Sequence, residues 1–155
     1  MVLWILILEA MQMGKAKKSI FIDAPMEKVH RYGRNPYTWP EWYSNFIGPD
    51  KVTGDGGVGT IIDFRYSVMG KQIPIKIEVV KDTLPEWKGQ FSGSMEGEII
   101  VKLSPDGNGT DAEIDWRYSI KKGVLGKIAD LKMVEKLLGH SLANTMENWK
   151  VICES

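Results

Sequence analysis

Four side chains in this sequence can hold or move a proton and could face the protein interior: Tyr66, Tyr118, Glu135 and His30. A carboxylate or an imidazole can act as a general acid or base near neutral pH. A tyrosine more often orients a bound molecule, and each of these tyrosines has the alternative of reaching solvent or a backbone partner. The four residues are therefore compatible with acid–base catalysis and with simple binding of a small molecule.

Established metal-binding and catalytic patterns are missing from the sequence. The two histidines, His30 and His140, and the single cysteine, Cys153, do not form a zinc site, a thiolate cluster or a catalytic triad. Residues 54–59, GDGGVG, have the letters of a dinucleotide-binding loop, but an alternating strand pattern follows where that motif needs a helix. We expect a hairpin loop there, and no metal and no cofactor.

Length and charge restrict the classes of function. The 155 residues suit one domain, and 20 basic residues balance 20 acidic ones, so the formal net charge is zero. Nucleic acid is not expected as a partner, because phosphate binding needs a concentrated basic surface. A single cysteine excludes a disulfide within the chain, and a cytoplasmic location is therefore expected.

The N-terminal residues 1–14 form an apolar extension ahead of a single domain at 15–155. The segment MVLWILILEA is shorter than the roughly 20 residues that cross a bilayer, so no membrane-spanning segment is expected. It also lacks the basic start of a signal peptide. Two interpretations remain open: a start codon assigned too far upstream of Met11 or Met13, or a short apolar cap that docks on the domain.

Residues 123–153 repeat apolar side chains at steps of three and four, which predicts one long helix across the whole domain. The apolar stripe consists of Val124, Ile128, Leu131, Val134, Leu138, Leu142, Met146, Trp149 and Ile152. Glu135 falls within this stripe, and it either extends to solvent at the edge or points into a cavity. Gly139 in the middle of the helix allows a bend or a close contact, whereas His140 lies opposite the stripe and is expected to be solvated.

The preceding sequence predicts a first strand, two short helices and an antiparallel sheet. The first strand is expected at 18–23, and a helix that contains Met26, Val29 and Tyr32 is expected to end at Gly33. Alternating strands are predicted at 60–68, 72–79, 87–91, 97–103 and 111–120, with a tight turn at Met69-Gly70. Because alternation implies one covered face, the long helix must cover it, and the predicted fold is α+β.

Several short motifs resemble those of the polyketide cyclase/dehydrase-like branch of the START and birch-pollen-allergen superfamily, from about Ala16 to the C-terminus. They are APMEKV at 24–29, NP at 35–36, WPEW at 39–42, MEG at 95–97, PDGNGT at 105–110 and GVLG at 123–126. The resemblance implies a helix-grip fold, in which a curved seven-stranded sheet wraps around the C-terminal helix and encloses a hydrophobic cavity. His30 is a departure, since relatives often carry an aromatic residue there.

The candidate ligand-binding residues are mostly large apolar side chains expected on the facing surfaces of the sheet and helix. They are Trp39, Trp42, Phe64, Tyr66, Ile75, Ile77, Trp87, Phe91, Trp116, Tyr118, Leu131, Glu135, Leu138 and Leu142. The favoured function is binding of a small hydrophobic or amphipathic molecule, such as a lipid, isoprenoid, quinone or polyketide-like compound. One alternative is a polyketide cyclase or dehydratase, and another is a protein-interaction module resembling the chaperone-activator or ribosome-associated branches.

Overall fold

Seven strands form one antiparallel sheet in residues 11–121 and 131–155, which are the residues that the computed structural model describes. Along the sheet the order is β1-β7-β6-β5-β4-β3-β2. The strands are β1 (Met11–Ile22), β2 (Phe46–Thr53), β3 (Ile61–Val68), β4 (Lys71–Asp82), β5 (Glu86–Gly93), β6 (Met95–Asp106) and β7 (Gly109–Lys121). The helices are α1 (Met26–Arg34), α2 (Trp39–Trp42) and α3 (Leu131–Glu154). This arrangement confirms the predicted α+β fold.

The hairpin between β3 and β4 has the turn that the sequence predicts. Met69 and Gly70 both have positive φ, 52° and 77°, and Val68 pairs directly with Lys71 across them. Positive φ at both central residues gives the twist that matches antiparallel strands. Residues 54–59 likewise form the loop between β2 and β3 rather than the start of a helix, which confirms the hairpin-loop interpretation.

Two strands differ from the sequence prediction. β1 starts at Met11 rather than residue 18, and Met11 and Gln12 pair with Lys121 and Ile120 of β7. β2 was not predicted, because its residues do not alternate between buried and exposed. Its register with β3 shifts between Ile47 and Lys51, and this irregularity removes the twofold pattern on which strand prediction depends.

The apolar stripe of α3 lies against the sheet and the short helices. Its buried members in the described residues are Val134, Leu138, Leu142, Met146 and Trp149, with Ile152 half-buried. The predicted positions Val124 and Ile128 lie outside the described residues. Among the residues described, no helix has both the length and the hydropathy that a bilayer span requires.

The first short helix is one residue longer than predicted, because α1 continues through Gly33 to Arg34. Gly33 lies against the Trp149 indole, and a Cβ at this position would come within 2.9 Å of Trp149 Cζ2. Trp42 of α2 also stacks on the Trp149 indole, with a distance of 5.1 Å between the two ring centroids. The short helices therefore close one end of the space between sheet and α3.

Candidate functional site

The inward faces of the sheet and α3 carry most of the predicted site residues. Buried on the sheet are Phe64, Tyr66, Ile75, Ile77, Trp87, Phe91, Trp116 and Tyr118; buried on α3 are Leu138 and Leu142. α3 begins at Leu131, whose side chain lies outside the described residues, and Glu135 is half-buried. The alternation along β3, β4 and β7 places these side chains on the face toward α3.

The aromatic residues of this core form two groups that Tyr43 connects, since its ring centroid lies 5.3 Å from that of Trp42 and 6.0 Å from that of Trp116. Trp39, Trp42 and Trp87 pack at the end closed by the short helices, where Trp39 and Trp87 meet edge to face with centroids 5.9 Å apart. In the second group, Trp116 packs against Tyr66 and Phe91 with centroid distances of 5.5 and 6.0 Å. A ligand-binding role for the first group stays a prediction, and the second group contains the polar atoms of interest.

We call Tyr43, Tyr66, Trp116 and Tyr118 the inner cluster. The Tyr43 ring lies 6.0 Å from that of Trp116, and the ionised form of Tyr66 would raise the pKa of both Tyr43 and Tyr118. Tyr66 is thus the centre of the cluster. Sequence reasoning missed Tyr43, although the dense run of aromatic residues at 37–46 was a signal for it.

Tyr66 is tied to α3 by a directional chain of hydrogen bonds. Its hydroxyl lies 2.6 Å from Ser141 Oγ, and Ser141 Oγ donates to Asn45 Oδ1 at 3.0 Å. Because Ser141 uses its one proton for Asn45, Tyr66 is the donor to Ser141. Asn45 Nδ2 donates to the Ser67 carbonyl at 2.8 Å, which fixes the orientation of the amide. Burial raises the pKa of Tyr66 to about 12 despite the Ser141 hydrogen bond, so the hydroxyl stays protonated.

A recess of about 200 Å³ opens beside this chain, between α3 and the β3–β4 hairpin. Its lining consists of Asn45, Tyr66, Ser67, Val68, Met69, Leu137, Leu138, His140, Ser141 and Asn144. His140 is exposed, as its helical angle predicted. Of the candidate residues predicted from the sequence, Tyr66 and Leu138 are the two in this lining. Ser141 was not predicted, because a single serine beside an apolar stripe does not produce a recognisable sequence pattern.

Three polar atoms of the inner cluster are buried without a hydrogen-bond partner. They are the hydroxyls of Tyr43 and Tyr118 and Nε1 of Trp116, out of five such side-chain atoms in the described residues. Burial raises the pKa of Tyr43 well above its usual value. The neighbouring Trp116 N–H offsets a little of that increase, but the two groups do not reach hydrogen-bonding geometry. Each unpaired buried group costs about 1–3 kcal/mol, so native proteins contain few of them.

Tyr118 lies between two glycines of the neighbouring strands. It pairs with Gly14 on β1 and with Gly97 on β6. A Cβ at Gly14 would come within 2.5 Å of the Tyr118 hydroxyl oxygen, so only glycine leaves room for this ring position. Burial raises the pKa of Tyr118 above its usual value, and the negative charge of Glu135 raises it further. Glu135 itself is half-buried, and a position of its carboxylate in the cavity stays a prediction.

His30 lies away from the inner cluster, in a charged group with Asp82 and Arg34. His30 Nε2 is 2.9 Å from Asp82 Oδ1, and Arg34 donates to Asp82 Oδ2 from Nε at 2.9 Å and Nη2 at 2.7 Å. Asp82 is 52 residues from His30 in the sequence, so the local sequence showed no carboxylate partner. The cavity beside His30 and Trp87 has a volume of about 10 Å³ and is too small for an organic ligand.

Two larger grooves, of about 670 and 720 Å³, lie on the sheet face that points away from α3. Charged side chains that pair with one another line them, including Arg117 with Glu98 at 3.8 Å. We interpret these grooves as solvated surface. In the described part of the chain, no three His, Cys, Asp or Glu side chains are arranged to hold a metal ion.

Comparisons with known proteins agree on the fold. The chain aligns with an aromatase/cyclase named Zhui from Streptomyces sp. R1128 at a TM-score of 0.76 and 12% identity, covering 92% of this chain and 94% of that one. A START superfamily protein from Mycobacterium smegmatis aligns at 0.74 and 16% identity, covering 90% and 97%. Norcoclaurine synthase from Thalictrum flavum aligns at 0.66 and 18% identity, covering 96% and 90%. No curated protein gives a significant match.

A family model described as polyketide cyclase/dehydrase and lipid transport matches residues 13–154. This range contains nearly all of the described residues, including all of the inner cluster and α3. The sheet wrapped around a long C-terminal helix, with two short helices after the first strand, is the helix-grip fold that the sequence resemblance implied. The chain therefore belongs to the polyketide cyclase/dehydrase and lipid-transport family.

Proposed function

We propose that this protein binds a small hydrophobic molecule bearing oxygen atoms, with its apolar part between the sheet and α3. The observation that carries this proposal is the group of unpaired buried atoms in the inner cluster: the Tyr43 and Tyr118 hydroxyls and Trp116 Nε1. All three can donate a hydrogen bond. Carbonyl or hydroxyl oxygens of a ligand would accept these bonds and remove the cost of leaving the donors unpaired.

The recess beside Tyr66 supports an entry route for such a ligand. Its volume of about 200 Å³ is smaller than the roughly 300–1,000 Å³ of typical ligand pockets. We therefore propose that it holds only the outer end of the ligand, while the inner end approaches the inner cluster past Leu138. Quinone-like and polyketide-like molecules have the required combination of an apolar skeleton and several oxygen acceptors.

The proposed location is the cytoplasm. The single cysteine, Cys153, is a buried free thiol, and burial raises its pKa to about 11. A thiol in this environment is a packing group, and the chain shows no cysteine pair that would need an oxidising compartment.

Native mass spectrometry of the purified protein tests the binding proposal directly. We expect an adduct that denaturation releases as an apolar organic molecule. Tyr118→Phe removes one donor and should weaken binding of that molecule about 2- to 13-fold, which corresponds to the roughly 0.5–1.5 kcal/mol of one lost hydrogen bond. The matched control is Tyr37→Phe, since Tyr37 is exposed. No adduct, or equal affinity in wild type and Tyr118→Phe, would contradict the proposal.

Glu135 favours a second candidate function, a cyclase or dehydratase acting on a polyketide-like substrate. Burial and, in addition, the negative charge of Glu135 raise the pKa of Tyr118, so the Tyr118 hydroxyl stays protonated and can donate a hydrogen bond. A carboxylate base near a protonated donor is the arrangement that would remove a proton next to a carbonyl while stabilising the resulting oxyanion. The similarity in fold to the Zhui aromatase/cyclase agrees with this candidate.

A further inference from the structure

The first half of α3 exposes apolar and basic side chains side by side. Met133 and Leu137, four residues apart, are 42% and 41% exposed. Lys132 and Lys136 have the same spacing and are also exposed. Residues four apart lie on one side of a helix, so this turn of α3 presents two adjacent stripes, one apolar and one cationic.

The β3–β4 hairpin extends the same surface. Met69 at the tip of the hairpin is 41% exposed and lines the recess together with Leu137. Lys71, two residues later, is exposed on the same turn. We call Met69, Lys71, Lys132, Met133, Lys136 and Leu137 the rim patch, because the recess opens between Met69 and Leu137.

The charge of the rim patch is not balanced by ion pairs. Within the described residues, Lys71, Lys132 and Lys136 form no salt bridge, whereas Lys17 and Lys88, for example, pair with acidic residues of neighbouring strands. The one carboxylate in residues 131–146 is Glu135, which is half-buried, whereas the three lysines of the rim patch are exposed. A chain with zero net charge thus carries a local positive surface at this end.

We propose that the rim patch docks on the surface of a bilayer that contains anionic phospholipids. The three lysines would lie among the phosphates, and Met69 and Leu137 would insert at the boundary between headgroups and acyl chains. Lysines around an exposed apolar stripe are typical of helices that lie on membranes. Protein interfaces are rich in aromatic residues, arginine and methionine and poor in lysine. The rim patch shares only the methionines with them: three of its six residues are lysines, and it has no aromatic residue and no arginine.

Docking in this orientation would place the recess against the lipid. This last step rests on the proposed function, since a hydrophobic ligand could then move between the bilayer and the inner cluster without crossing water. The docking surface itself is inferred only from the exposure and charge of the rim patch.

Vesicle sedimentation with the full chain tests the proposal. We expect binding to vesicles of phosphatidylcholine with phosphatidylserine, little binding to phosphatidylcholine alone, and weaker binding as salt is added. Lys132→Gln with Lys136→Gln should lower the partition coefficient about fivefold for each lysine. The matched control is Lys51→Gln with Lys102→Gln, near the other end of the sheet. It removes the same charge from two exposed residues that form no salt bridge with any described residue. Leu137→Asp should abolish binding while circular dichroism confirms an intact fold.

Three outcomes would overturn the proposal: no binding of the wild type to anionic vesicles, equal losses in the rim and control pairs, or a dimer in sedimentation velocity that the rim substitutions dissociate. The last would assign the rim patch to a second copy of the chain. The ligand adduct measured by native mass spectrometry is independent of these results. Loss of vesicle binding with the adduct retained would contradict docking alone, and vesicle binding without any adduct would contradict the ligand proposal alone.

Discussion

The Tyr66 hydroxyl and Ser141 Oγ are 2.6 Å apart, although 75 residues separate them in the sequence. This bond joins β3 to α3 at the inner end of the recess, and Asn45 continues it to the Ser67 carbonyl on the same strand. Because the Tyr66 hydroxyl and Ser141 Oγ are linked in this way to Asn45, movement of α3 along the sheet would have to break several hydrogen bonds together. The recess therefore has a well-defined inner wall.

Tyr66 and Tyr118 should respond differently to the same substitution. Tyr66→Phe breaks the bond to Ser141 and should lower the free energy of unfolding by about 0.5–1.5 kcal/mol. Tyr118→Phe removes a buried hydroxyl that has no partner and should leave stability unchanged or increase it. Urea denaturation of the two variants checks this contrast. A clear loss of stability in Tyr118→Phe would mean that its hydroxyl is hydrogen-bonded.

Leu142 should contribute to the stability of the fold as a core residue, since its side chain is buried on the apolar stripe of α3. Leu142→Ala should lower the free energy of unfolding by about 2–5 kcal/mol through lost burial and the cavity left behind. Leu137→Ala, on the exposed side of the same helix, is the control and should change it by less than about 0.5 kcal/mol. Similar effects at both positions would contradict the orientation of α3.

Asp82 should make stability depend on acidic pH. Burial alone would raise the pKa of Asp82, but hydrogen bonds from Arg34 and His30 outweigh it and lower the pKa. A carboxyl with a lowered folded-state pKa adds stability above its unfolded value, about 4, and this stability is lost as the pH falls toward the folded value. Asp82→Asn should cost about 1–3 kcal/mol at neutral pH and should flatten the decline in stability below pH 4.

The matched control for that experiment is Asp50→Asn. Asp50 pairs with Arg65 at 3.0 Å on an exposed part of the sheet, where such pairs contribute less than about 1 kcal/mol. Thermal unfolding monitored across pH compares the two variants. Equal losses would contradict a special role for the charged group around Asp82.

The substitution Glu135→Gln distinguishes a binding protein from an enzyme. If the protein only binds its ligand, Glu135→Gln should change the affinity by less than about tenfold. If it is a cyclase or dehydratase, the substitution should lower single-turnover product formation by roughly two to four orders of magnitude with the fold intact. Glu147→Gln, at an exposed position of the same helix, is the control. Product formation that only Glu135→Gln suppresses would contradict the binding-only function.

The boundary of the domain can be tested by truncation. Among the described residues, a chain that starts at Met13 loses the first two β1–β7 pairs, Met11 with Lys121 and Gln12 with Ile120. It should fold and melt within a few degrees of the full chain, because strand ends contribute little to stability. A start at Ser19 removes six further pairs of β1 and should prevent folding. Aggregation of the chain that starts at Met13 would show that the apolar extension packs on the domain.

The sequence predicts the parts of this fold that have a strict period. Five strands and α3 follow from alternation or from the spacing of residues such as Leu138 and Leu142, because one face of each element is buried. β2 could not be predicted in this way, because its register with β3 shifts near Ile47 and its side chains do not alternate. Three members of the inner cluster, Tyr66, Trp116 and Tyr118, follow from alternation along their strands, whereas Tyr43 lies outside any strand. The hydrogen bonds of Tyr66 to Ser141 and of Ser141 to Asn45 join distant segments, and no local pattern encodes such contacts.

Gly14 and Tyr118 share one volume across β1 and β7, since a methyl group at position 14 would overlap the phenol ring. The two positions should therefore vary as a pair in any evolved or engineered chain. A smaller residue at 118 would free space next to the inner cluster, and a larger residue at 14 would fill it again from the neighbouring strand. Exchanging bulk between these two positions offers a way to change the size and shape of the accepted ligand while the backbone of both strands stays in register.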